Sequence, residues 1–209
     1  TFRLNGPLTN PFGGPNGFSL QKLQVYLRDP SATDGTTEAP PGINATLENP
    51  YQYLVDVHGW RAKVYDASSG VTYNDSASQP EYNEVLTDDV VVKTFYDQDA
   101  IRFTIPKSAV PDLSTLEVVP VLAGHDGGGE GVYGVRDVLD SATDYQFGGG
   151  GDANAPRIVD LVTPGGQSQS DVLSYTASER ATLPYLSLTD ASPPTADFSA
   201  STTTPDVGE

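Results

Sequence analysis

Cysteine and methionine are both absent from the 209 residues, tryptophan occurs once and histidine twice. Without a thiol the chain has no disulfide framework, no thiolate metal site and no thiol nucleophile, so packing and bound cations must supply its stability. No initiator methionine, no signal peptide and no apolar run near the ~18 residues of a membrane span is present, which reads as a processed chain or an excised fragment. The histidines, His58 and His125, form no HExxH pair, so zinc has no support in the sequence. No GxSxG elbow presents a serine nucleophile.

Cations are scarce too. Lys and Arg total 11 against 28 Asp and Glu, for a formal charge of −17. Nucleic acid is thereby a poor partner, because phosphate binding needs clustered cations. Such a charge repels itself unless counterions screen it within about 3 Å, as they do near molar ionic strength. A halophilic archaeon is the expected source, and an acidic extracellular protein from an ordinary habitat is the alternative.

What is present is strand-like. Hydrophobic residues make up 37% of the chain, enough for one main globular domain. Apolar and polar residues alternate along Phe18–Asp29, where Leu23, Val25 and Leu27 are expected to face a core while Gln24, Tyr26 and Arg28 face out. Further stretches are Tyr51–His58, with Tyr53, Val55 and Val57 inward, then Arg61–Asp66, Val90–Tyr96 and Ala100–Ile105, with Ile101, Phe103 and Ile105 inward, and Leu116–Ala123 and Arg157–Val162. Polar loops such as Pro30–Gly42 and Asn74–Asp89 separate them, and Pro106–Val110 suits one helical turn. Period two with intervening turns predicts an all-β protein, an antiparallel β-sandwich with long polar loops. After about Thr163 the composition turns rich in Gly, Gln, Ser and Thr, so residues 164–194 read as a polar linker.

Carboxylates are so numerous that chance alone pairs them. Asp88 and Asp89 are neighbours, and on a strand neighbours point to opposite faces, which does not suit glycoside hydrolysis with its carboxyls about 5–10 Å apart across a sugar. A catalyst is not expected. Two acidic glycine loops, Gly124–Gly131 and Gly148–Asn154, offer Asp126, Glu130, Asp152 and Asn154 as hard oxygen ligands suited to calcium; the alternative is tight turns whose Asp and Asn bond their own backbone. Sugar binding asks for flat aromatic faces flanked by planar polar groups. Trp60, Arg61, Tyr65 and Tyr133 are the candidates, with Trp60 either a platform or a core anchor. Asn44 and Asn74 each begin a glycosylation sequon in a polar stretch, consistent with secretion.

An ordered series of motifs goes further: NPFGGPNGFSLQ from Asn10, PPGINATLENPYQYLVDVHGW from Pro40, TIPKSAV from Thr104, AGHDGGGEGVYGVRDV from Ala123 and YQFGGGGDANAPRIVDLV from Tyr145. Residues 1–163 resemble the C-terminal domain family of glucodextranases. The resemblance implies a DOMON-like β-sandwich with immunoglobulin-like layers, akin to family-9 carbohydrate-binding modules and carried behind a catalytic domain. It also implies that Thr1–Leu8 follows further strands that the chain lacks. Phe12 and Tyr145 stand where the family has tryptophan, which would make an aromatic surface there smaller or internal. Haem, bound by some DOMON relatives, lacks its methionine ligand. Residues 195–209 resemble the opening of a PKD domain.

The expected function is therefore a noncatalytic carbohydrate-binding or wall-anchoring module of a secreted, extracellular or cell-surface polysaccharide-active protein, with a polysaccharide or cell-surface glycan as partner. The alternative is a structural subunit of a surface assembly, in which neighbouring copies complete one another by strand addition.

Overall fold

The structure is a computed structural model and describes residues 1–4, 6–40, 42–69, 84–125, 135–136, 138–143 and 151–188. Its strands in chain order are β1 (Phe2–Arg3), β2 (Gln21–Arg28), β3 (Thr36–Glu38), β4 (Ala45–Tyr51), β5 (Tyr53–His58), β6 (Arg61–Asp66), β7 (Val85–Thr87), β8 (Val91–Phe95), β9 (Ala100–Thr104), β10 (Glu117–Gly124), β11 (Asp160–Leu161), β12 (Ala181–Leu183) and β13 (Leu186–Ser187). One short helix, α1 (Gln169–Val172), lies between β11 and β12. The molecule is an all-β sandwich, as the alternation predicts.

A central sheet in the order β11-β10-β2-β5-β6-β7, with β13 also on β10, carries a small sheet on each face: β1-β9-β8 on one and β12-β4-β3 on the other. Toward β1-β9-β8, Leu23, Leu27, Val55, Val57, Val64 and Val118 pack with Ile101, and Phe103 stacks on Phe2 with ring centroids 5.8 Å apart. Toward β12-β4-β3, Tyr26, Leu54, Tyr65, Val119 and Val121 pack with Ala45, Leu47, Tyr51 and Leu183. Tyr26 meets Tyr51 edge-on at 4.9 Å.

The third layer corrects the outward assignment of Gln24 and Tyr26. Both are fully buried, and only Arg28 of that set is partly exposed, paired with Glu117 across β10. Alternation in β2 therefore separates two cores rather than core from water. A buried polar run follows: Lys22 bonds Asp56, Gln24 bonds Asp56, and the Tyr26 hydroxyl donates to Gln24 at 2.6 Å.

Residues 164–188, read as a polar linker or extension, pack on the sandwich. Ser168 caps α1 through its Oγ, which accepts from the Asp171 N–H, and β12 pairs with β4 with Ala181 opposite Ala45 and Leu183 opposite Leu47. Ala181 and Leu183 alternate into the second core, which offsets the polar composition around them. That pairing is parallel, so the sandwich is not wholly antiparallel. The stretches Pro30–Gly42 and Asn74–Asp89, expected as loops, contain β3 and β7. Pro106–Val110 is a turn, closed by the Ala109 N–H on the Pro106 carbonyl at 3.0 Å, and not a helical one. The PKD-like residues 195–209 lie outside the described residues.

Candidate functional site

The site grows from the loop at residues 10–19 and the hairpin that joins β5 to β6. Asn10 closes the loop on itself: its Nδ2 donates to the Gly14 carbonyl and its Oδ1 accepts from the Gly14 N–H at 2.7 Å. Asn16 then grips the hairpin, its N–H donating to the Gly59 carbonyl and its Nδ2 to the His58 carbonyl, each at 2.8 Å. The approach is so close that a Cβ on Gly59 would lie 2.1 Å from the Phe18 carbonyl oxygen, so only glycine fits. On its other flank the loop is held by the Thr94 hydroxyl on the Asn16 carbonyl at 2.7 Å and the Tyr96 hydroxyl on the Gly17 carbonyl at 2.5 Å.

Among the described residues, three rings sit on or against this clamp. Trp60, at the hairpin turn, is half-buried, while Phe12 is 46% and Tyr96 54% exposed. Beneath Trp60 lie two histidines. The indole stacks on His125 with centroids 5.1 Å apart and planes 29° apart, and His125 stacks on His58 at 4.5 Å and 15°. The Trp60 backbone N–H donates to His58 Nδ1 at 3.4 Å. Both imidazoles are fully buried.

Under the rings sits charge. Lys22 Nζ lies 2.8 Å from Asp56 Oδ1, with both side chains wholly buried. Burial first, and then electrostatic interaction with Lys22, His125 and Arg61, pushes His58 far below the usual imidazole range, so it stays neutral. Asp56 is held by Lys22 and Gln24, and His58 Nδ1 by a backbone N–H. This arrangement fixes the rings in place.

Of the residues singled out by sequence for sugar binding, Trp60 alone reaches the surface among those described. Tyr65 is 1% and Arg61 6% exposed, and Arg61 Nη1 donates to the Tyr65 hydroxyl at 3.2 Å. Both point into the second face of the central sheet because that face is covered, so they are buried supports and not contact residues. Tyr133, Asp126, Glu130 and Asn74 lie outside the described residues. Phe12, one of two positions where an aromatic surface was expected to be smaller or internal, stands at the surface, and the other, Tyr145, lies outside the described residues. Neither strand alternation nor charge marks Phe12 or Tyr96 as a pair; what they share is attachment to the Asn- and Gly-rich loop.

Asp152 and Asn154 form a turn, with the Ala155 N–H on the Asp152 carbonyl at 3.0 Å. The Tyr175 hydroxyl donates to Asp152 Oδ2 at 3.1 Å, and Asn154 Nδ2 donates to the Thr176 carbonyl at 3.1 Å. Among the described residues no group of three or more His, Asp or Glu is arranged to hold a metal ion. Asn44, at a left-handed φ of 58°, spends its side-chain amide on the same turn, Nδ2 donating to the carbonyls of Ala153 at 2.8 Å and Ala155 at 2.7 Å. A glycan on Nδ2 replaces one of those hydrogens, so the clamp and glycosylation of Asn44 exclude each other.

Residues 1–185 match the family described as the C-terminal binding module, SLH-like, of glucodextranase. No curated protein matches the chain.

Proposed function

The chain belongs to the family of SLH-like C-terminal binding modules of glucodextranase, and from that premise we propose that it holds a secreted polysaccharide-active protein to glycan through the Trp60 surface. A binding module of this kind is a noncatalytic carbohydrate-binding or anchoring domain. Its partner is a polysaccharide or a cell-surface glycan, and the acidic surface suits work at high salt.

One observation carries the reading: the only tryptophan is half-buried at a hairpin turn, backed by rings, instead of filling a core. Pyranose rings present C–H faces that pack on such an indole, and polar groups at the rim bond their hydroxyls. No helix among the described residues is long and apolar enough to cross a membrane.

Retention on granular starch and on isolated cell envelope tests the proposal. Trp60→Ala is expected to lose retention on whichever of the two the unaltered protein binds, while thermal unfolding stays cooperative. Retention equal to that of the unaltered protein would remove the platform, and loss of cooperative unfolding would return Trp60 to the core.

A further inference from the structure

We propose that His125, backed by His58, is a positioning residue that holds the Trp60 indole in a fixed orientation, so that the ring is ordered before a glycan arrives. This rests on the reading of Trp60 as the glycan platform.

A tryptophan at the tip of a two-residue turn has two free side-chain torsions, and ordering it on contact with a ligand costs binding free energy. Here that ordering is done in advance. The indole lies on His125, His125 lies nearly parallel on His58, and both imidazoles are fully buried. The stack is rooted in the central sheet: His58 is the last residue of β5, opposite Lys22 of β2 and Arg61 of β6, and His125 follows β10, its N–H donating to the Leu20 carbonyl at 2.7 Å. The His125 carbonyl in turn accepts from Arg136 Nε at 3.1 Å. The turn has no slack either, since its Gly59 is pressed against Phe18 and its carbonyl bonded to Asn16.

His125 occupies one side of the indole, and among the described residues the exposed rings Phe12 and Tyr96 are tied to the loop that grips the same hairpin.

The lone tryptophan makes the test direct, because all indole emission reports this position. In His125→Ala the emission is expected to shift to the red and become open to acrylamide quenching, with retention on granular starch reduced about tenfold or more and unfolding still cooperative. His125→Phe, which restores a planar ring, is expected to recover both. If His125→Ala does not fold, His125→Leu fills the space without a planar face and carries the same expectation. Emission, quenching and retention unchanged in the folded variant would overturn the proposal. The underlying reading fails separately: if Trp60→Ala is retained as well as the unaltered protein, the platform is wrong, and the emission of His125→Ala still decides whether His125 fixes the ring.

Discussion

Lys22 and Asp56 form an ion pair with no exposure to water, directly under the site. Breaking such a pair leaves one charge buried and uncompensated. Lys22→Met is therefore expected to destabilise the protein by about 3–5 kcal/mol in chemical denaturation, and replacing Asp56 with leucine as well to recover most of it. Asp160 is a second residue whose burial matters, at the edge of a small apolar groove lined by Phe2, Leu4, Pro120 and Leu122. Burial raises its carboxyl from 3.8 to about 6, against the lowering effect of the Leu161 N–H. Because the folded value lies above the unfolded one, the ionised carboxylate costs stability above about pH 6, and that cost is relieved as pH falls toward 4. Asp160→Asn should raise the melting temperature near pH 8 and leave it unchanged near pH 4. Equal shifts at both values would assign the effect to packing.

The β5–β6 hairpin is the element on which the site depends. Its turn admits no Cβ at Gly59, so Gly59→Ala must push the 10–19 loop away from the hairpin. The expected cost is about 1–3 kcal/mol, with glycan retention falling in parallel. Calorimetry and the starch assay on the same variant check both. How far elements are legible from sequence varies in an instructive way. Long alternating runs such as β2, β5 and β9 stand out because one face is uniformly apolar. The alternation in β2 does not reveal that Gln24 and Tyr26 are buried, since their cover comes from β4 and β12, distant in sequence. β3, β7 and β12 are three residues each within polar stretches, too short for a periodic signal. Trp60 was readable as a candidate from its rarity. Its histidine stack was not, because His58 and His125 come together only when β10 reaches the same end of the sheet as β5.

At the scale of the whole molecule the formal charge of −17 opposes compaction. Raising salt from about 0.1 M to about 2 M shortens the screening length severalfold, and the melting temperature is expected to rise by about 2–4 °C for each ~1 kcal/mol of repulsion removed. A midpoint independent of salt would show that repulsion among the carboxylates contributes little to stability.

The parallel partnership of β12 with β4 joins positions 136 apart in the chain, as between Thr46 and Thr182. A polypeptide emerging from the ribosome cannot make that pairing until the residues in the 180s are out, and until then the edge of β4 that β12 occupies stays open. Assembly of this kind is slow and late. A sheet closed by so distant a partner cannot form from the first half of the chain alone.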